Sequence, residues 1–396
     1  MKIFAFDLLA YPERLDHLNV EGRLPYPLPG RHFRPEVAAE NYREHLEAWA
    51  YMDQLGFDGV GFNEHHTSPY GLMNSPNLMA AAASQITKRL KILIYGNALP
   101  IHEPLRLAEE LAMADCMSGG RIISGFVRGI PREYMAYNMD MAESRARFEE
   151  AWEIIKLAWT EDVFSYEGKF WSYKDVAIWP RPLQQPHPPV WVPVTGSKET
   201  IEWAAKHNFP ITPGETATPG VREDVTRYYA ECLASHGHAI TPDHLVGATS
   251  VYVSESKEQA AKEAGPSWLY FVNTLFGHGS IRDPAEAKRR GYLTEAAYDY
   301  MRPEVRDAYV RSRETTRTVT LDDAVRGTRM PWGNPDEVRE VLIKRADMDG
   351  TNTMLLTLNT GGLPHELFMR NLKRFGEEVL PALQEHQVTA VPAAFG

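Results

Sequence analysis

Glu64, His65 and His66 stand together directly after Gly56-Phe57-Asp58-Gly59-Val60-Gly61-Phe62, a short apolar run that reads as a buried strand. A carboxylate and two imidazoles at the end of a core strand need partners. A strand that delivers such groups at its C-terminal end is how a parallel α/β protein builds an active site. Imidazole titrates near neutrality and can act as a general acid or base. Adjacent strand residues point to opposite faces, so one histidine faces the mouth and the pair does not share a metal ion. No metal is expected, and His66 is alternatively a satisfied core histidine.

A second chemistry is anion binding. Arg121 to Arg128 is a strand that ends on a cation, and Thr195-Gly196-Ser197 leads from another strand into a helix carrying Thr200. A phosphate needs a cation together with donors aimed at one point, and a helix N-terminus offers free N–H groups. Ser197 is alternatively a plain N-cap, and Arg128 an ion-pair partner for Glu133 or Glu103.

The elements that must position these groups alternate. Strands are expected at Lys2 to Leu9, around Phe57 to Phe62, at Leu90 to Tyr95, at Arg121 to Arg128, at Val190 to Val194, at Phe209 to Thr212, at Ala248 to Val253 and at Thr353 to Leu358. Helices fall between them. Tyr42, Leu46, Trp49 and Met52 keep helical spacing, as do Phe148, Trp152, Ile155 and Trp159, and Phe368, Leu372, Phe375, Val379 and Leu383. Ser75-Pro76, Pro104 and Asn334-Pro335 mark helix starts. Phe164 to Trp179 reads as a small β excursion.

Eight strands alternating with helices predict an α/β fold, a (β/α)₈ TIM barrel with insertions, the largest between strands seven and eight. A doubly wound sheet is disfavoured because no G-x-G-x-x-G turn follows strand one. The chain is expected to form one domain over residues 1–396. Residues 265–330 form an insertion and a candidate lid, and 385–396 a loosely held tail.

Lys+Arg of 42 against Asp+Glu of 53 gives a net charge of −11, which argues against nucleic acid or an anionic membrane as partner. No run approaches the ~20 apolar residues that cross a bilayer. Cys116 and Cys232 form no Cys-x-x-Cys, so neither a disulfide framework nor a thiolate metal site is implied, and a cytoplasmic location is expected.

The chain resembles the bacterial luciferase-like flavin monooxygenases, and the luciferase α-subunit in particular. The matching residues are Gly56-Phe57-Asp58, Glu64-His65-His66, Met117-Ser118-x-Gly120-Arg121, Val127-Arg128-Gly129, Ser144-Arg145-Ala146, Ser197-x-x-Thr200-x-Glu202-Trp203 and Gly333-x-Pro335. The resemblance implies a barrel that binds reduced FMN at its C-terminal mouth, the flavin coming from a separate flavin reductase. Dioxygen is the co-substrate, activated as a flavin C4a-(hydro)peroxide that oxygenates a small organic molecule. It implies that His65 is catalytic and that Arg128, Ser197 and Thr200 hold the flavin phosphate. Glu64 and Gly96 join the cofactor-binding set, Gly96 because Tyr95-Gly96-Asn97 aligns with a non-prolyl cis peptide against the flavin ring. A homodimer is expected.

The sequence departs from the luciferases at two places. Val127 stands where they carry a reactive cysteine, and Gly196 replaces an acidic residue beside the phosphate-site serine. An apolar, closable mouth suits this chemistry, with Tyr134, Tyr137, Trp191 and the inserts as wall candidates. Two alternatives stay in the same superfamily: F420-dependent hydride transfer, or a non-catalytic flavin-binding relative. A metal-dependent barrel hydrolase is a more distant one.

Overall fold

Eight parallel strands make up the sheet: β1 (Lys2–Asp7), β2 (Gly59–Phe62), β3 (Lys91–Ala98), β4 (Ile122–Val127), β5 (Val190–Val194), β6 (Ile211–Pro213), β7 (Val246–Ser250) and β8 (Thr353–Thr357). Their spatial order is β6-β5-β4-β3-β2-β1-β8-β7, and a parallel bridge from Ile211 to Leu245 joins the two ends into a nearly closed barrel. This computed structural model describes residues 1–19, 24–213, 218–276, 284–314, 319–322, 330–393 and 395.

All eight expected strands are present, with shifts at their ends. β7 leaves the barrel at Ser250, and Tyr252–Val253 pairs instead with Trp332–Gly333. The β excursion is an antiparallel hairpin of Phe164–Glu167 with Ser172–Val176. Its turn is anchored because the Glu150 carboxylate accepts from the N–H groups of Lys169, Phe170 and Trp171.

The helix starts follow the local chemistry. Ser75 accepts from the Leu78 N–H ahead of α2 (Pro76–Ile86), and Glu103 does the same for Arg106 in α3 (Pro104–Ser118). Asn334 and Glu337 form a reciprocal capping box at Pro335–Asp349. The last apolar stripe is served by His365–Arg374, a π turn at Phe375–Val379, and Leu380–Glu385. That turn keeps Phe368, Leu372, Phe375, Val379 and Leu383 all buried. Beyond it, Val388 exchanges two hydrogen bonds of 2.8 Å with Asn352, so the start of the tail is tied to the body of the fold.

Two apolar layers hold the barrel. Phe4, Leu93, Tyr95, Ile123, Val246 and Leu355 fill its interior. Outside it, Phe126 of β4 meets Trp152 and Trp159 of α5 (Ser144–Thr160), with ring centroids 5.6 and 6.3 Å apart. Burying such an aromatic contributes roughly 1.5–3 kcal/mol by area. Between β3 and β4 the backbones approach so closely that a Cβ on Gly96 would sit 2.5 Å from the Gly125 carbonyl. Glycine is required there by space, and the Tyr95-Gly96 peptide is cis.

Between β7 and β8 the described residues include the helices Lys257–Tyr270, Pro284–Arg289 and Pro303–Glu314 and a π turn at Phe271–Leu275. Residues 277–283, 315–318 and 323–329 of the candidate lid lie outside the described residues. Its described part is packed, with Tyr292, Ala297, Met301, Val305 and Tyr309 buried. Lys288, Arg289 and Arg290 form exposed ion pairs with Glu295 and Glu286, a solvated face.

Candidate active site at the barrel mouth

Strand alternation sends Glu64 and His66 to one side beyond β2 and His65 to the other. His66 Nε2 lies 3.0 Å from Glu64 Oε1. His102 Nε2 lies 2.8 and 3.0 Å from the two Glu64 oxygens, and Asn97 Nδ2 donates to Oε2 at 2.9 Å. Burial alone would raise the Glu64 pKa. The hydrogen bonds from His102, His66 and Asn97 outweigh it and hold the group down to about 2. The same pairing raises the His102 pKa against the opposing effect of its burial.

His65 is part exposed and faces α4 (Pro131–Ala136), with Nδ1 3.2 Å from Glu133 Oε1. The other Glu133 oxygen accepts from the Ile130 N–H at 3.0 Å. A carboxylate only accepts, which assigns the neutral ring its proton on Nδ1 and leaves Nε2 as a base. The ring of Tyr70 meets His65 edge-on at 4.8 Å, and Phe271 stacks on Tyr70 at 5.5 Å.

The β4–β5 side is cationic. The Arg128 guanidinium lies over the Tyr292 ring at 4.1 Å. Glu133 and Glu103 are engaged elsewhere, Glu103 with Arg106 and Tyr173, so neither is paired with Arg128. Arg145 of α5 donates from Nη2 to Thr200 Oγ1 at 2.8 Å. Its Nε and Nη1 are buried and have no protein partner. Burial first, then the charge of Arg128, pushes the Arg145 pKa down to about 10.

Ser197 precedes α6 (Lys198–Lys206), but its hydroxyl donates to Glu199 Oε2 at 2.7 Å instead of capping the helix. Glu199 Oε1 also accepts from Thr294 at 2.6 Å. An acidic side chain therefore reaches the serine despite Gly196, whose φ of +107° suits glycine.

Of the sequence-predicted residues, Arg128, Ser197 and Thr200 fall on the cationic side, and Glu64, His65 and Gly96 on the β2–β3 side. Arg145, Glu199 and Tyr292 were not assigned roles by the sequence. Arg145 carried a signal: it stands three residues before buried Phe148, a charge on the core face of α5. The candidate lid was expected, but not the contacts that hold it. Tyr292 donates to Gly129 O at 2.6 Å and Tyr300 to Gly196 O at 2.8 Å, while Tyr309 donates to Thr195 O. Three tyrosines of the insertion thus clasp the β4 and β5 loops. No group of three or more His, Cys, Asp or Glu that could hold a metal occurs among the described residues.

A parallel barrel whose mouth brings together an acid–base cluster and a pair of arginines has the architecture of an enzyme site. The family model for luciferase-like monooxygenases matches residues 24–351, and the chain belongs to that family of oxidoreductases. It is 27% identical to the alkanal monooxygenase alpha chain of Photorhabdus luminescens over 340 residues, 85% of this chain and 90% of that one. It is 28% identical over 238 residues to the oxygenase component of flavin-dependent trigonelline monooxygenase from Acinetobacter baylyi, 58% of this chain and 65% of that one. The fold matches the oxygenating constituent of 3,6-diketocamphane monooxygenase from Pseudomonas putida, solved with FMN. That match has a TM-score of 0.70 at 16% identity and covers 96% and 98% of the two chains.

Proposed function

We propose that the chain is the oxygenase of a two-component monooxygenase that uses reduced FMN and dioxygen to oxygenate a small organic substrate. The observation that carries this reading is Arg145, whose Nε and Nη1 are buried without partners beside Thr200. A buried guanidinium needs acceptors, and a phosphate supplies several. Arg128, Arg145, Thr200 and Ser197 would hold the FMN phosphate, with Gly96 beside the ring. Bound reduced FMN supplies the two electrons and the site of reaction with dioxygen. His65 Nε2 takes or returns a proton at the reacting atoms, held in place by Glu133. Tyr70 and Phe271 help keep water from that side.

The relative named as an oxygenase component supports a separate flavin reductase. Leu78 and Ile86 of α2 and Met113 and Met117 of α3 are exposed apolar side chains, which supports a homodimer through that face. No described helix is long and apolar enough to cross a membrane. We place the enzyme in the cytoplasm, in keeping with its two free cysteines.

FMN and riboflavin differ by the phosphate, so titrating both by flavin fluorescence tests the assignment. The expected result is a clear preference for FMN that Arg145→Ala removes. Equal affinity for the two would remove the phosphate site, and binding of F420 in place of FMN would turn the reading to hydride transfer.

A further inference from the structure

Tyr137, His66 and Glu64 are hydrogen-bonded in series beyond β2. Tyr137 Oη lies 2.9 Å from His66 Nδ1, and His66 Nε2 lies 3.0 Å from Glu64 Oε1. The Glu64 carboxylate can only accept, so the neutral His66 ring carries its proton on Nε2 and offers Nδ1 as an acceptor. Tyr137 fills that acceptor with its own hydroxyl proton. The phenol oxygen then presents only lone pairs on its open side. Tyr137 is 51% exposed, against 4% for Glu64 and 8% for His66, so it is the member of the three that a ligand meets. A ligand facing lone pairs must bring a donor.

Passing a proton to a phenol oxygen asks for a donor of similar acidity, which an O–H of phenol type is and an alcohol is not.

We propose that Tyr137, His66 and Glu64 form a proton relay that receives the hydroxyl proton of a phenol-type substrate. In the transfer the substrate O–H breaks as an O–H forms on Tyr137, and the Tyr137 O–H breaks as an N–H forms on His66 Nδ1. The resulting imidazolium faces the Glu64 carboxylate, and the substrate is left as a phenolate, its more electron-rich form. His102 on the same carboxylate, with Glu110 beyond it, and Glu133 near Tyr137 are the other charged groups around the relay. Burial, then the Glu64 and Glu133 carboxylates, raises the Tyr137 pKa. Tyr137 would touch the substrate, and His66 and Glu64 act through it. The relay's part in turnover rests on the oxygenase reading; its direction does not.

The test titrates para-nitrophenol and nitrobenzene into the flavin-free protein, with nitrogen NMR of the histidine rings recorded alongside. The wild type should prefer the phenol, and the bound phenol should gain phenolate absorbance. Tyr137→Phe should weaken the phenol by about 3–10-fold, the loss of one hydrogen bond, and leave nitrobenzene unchanged. His66 should show the Nε2–H tautomer, with an Nδ1 resonance that moves in Tyr137→Phe. His66→Gln should keep some affinity for the phenol and lose the phenolate band. Equal binding of the two probes, binding of neither, an Nδ1–H tautomer, or a preference that survives Tyr137→Phe would each overturn the relay. If Tyr137→Phe does not fold, the tautomer and the probe preference of the wild type decide alone. Loss of FMN binding with the relay results intact would sink the oxygenase reading only.

Discussion

Glu64 and Arg145 are both buried charges at the mouth of one barrel, and their surroundings treat them in opposite ways. Glu64 takes hydrogen bonds from His66, His102 and Asn97, so its charge is balanced by the protein itself. Arg145 has one hydrogen bond, to Thr200, a second arginine nearby, and two buried donors without a protein partner. A self-sufficient cluster keeps its arrangement whether or not a ligand is present. An incomplete one gains most when an anion arrives. The difference separates a side whose charges are balanced by the protein from a side with buried donors left over.

The largest effect expected from breaking this contrast is at His65, which stands on the balanced side but turns away from Glu64. General acid–base assistance contributes about 10²–10⁴-fold, and His65→Ala should lower single-turnover oxygenation by about that factor. FMN affinity should barely change, since the cationic side is untouched. Stopped-flow mixing of the reduced complex with oxygen measures this, and wild-type rates in the variant would move the base elsewhere.

Glu64→Ala leaves two imidazoles and the Asn97 amide without their acceptor, and should cost about 3–5 kcal/mol of stability in urea unfolding. The pH dependence has two limbs. The Glu64 pKa is depressed on folding, so its contribution is present above the ordinary carboxylate range and is lost as pH falls toward about 2. The His102 pKa is raised, so its contribution is full below the ordinary imidazole value and fades as pH rises through the raised one. The gap between wild type and variant should therefore narrow at both ends. A gap that does not change with pH would mean that the cluster is neutral.

Arg145→Ala tests the incomplete side. It should weaken FMN by about 1.5–3 kcal/mol, the range for a charged hydrogen bond, with little loss of stability because the guanidinium is poorly satisfied in the free protein. Riboflavin affinity should stay where it is.

The sequence was most legible where a local pattern decides the outcome. Helix starts at Ser75-Pro76, Pro104 and Asn334-Pro335, apolar stripes and short β-rich runs define the eight βα units before any tertiary contact is known. Element ends were less legible. β7 stops at Ser250 because Tyr252 and Val253 find another partner in Trp332 and Gly333, some eighty residues away by count of sequence. His65, Arg128, Ser197 and Thr200 stood out because each follows a strand that feeds the mouth. Arg145 stood in the Ser144-Arg145-Ala146 match but was given no role, because its helix otherwise reads as packing around Phe148 and Trp152. Tyr292, Tyr300 and Tyr309 had no signal, since their partners are backbone carbonyls more than a hundred residues earlier.

Tyr292→Phe gives the smallest expected effect, and Tyr292 the finest cut through the comparison, because it joins the insertion to the cationic side in two separable ways. Its hydroxyl donates to Gly129 O at 2.6 Å, and its ring lies 4.1 Å beneath the Arg128 guanidinium. Tyr292→Phe keeps the ring and removes the hydrogen bond, so FMN affinity should fall by about 0.5–1.5 kcal/mol. Tyr292→Ala also removes the cation–π contact, worth roughly 0.5–2 kcal/mol more. If the insertion only covers the mouth, neither variant should alter the preference for FMN over riboflavin, because riboflavin would be affected equally. If it shapes the anion site, the loss should fall on FMN alone and grow from Phe to Ala. The cluster around Glu64 serves as the internal control, since it lies across the mouth. A His102 titration by NMR should be the same in wild type and both variants. A shift there would show that the two sides are coupled and that their contrast is only local.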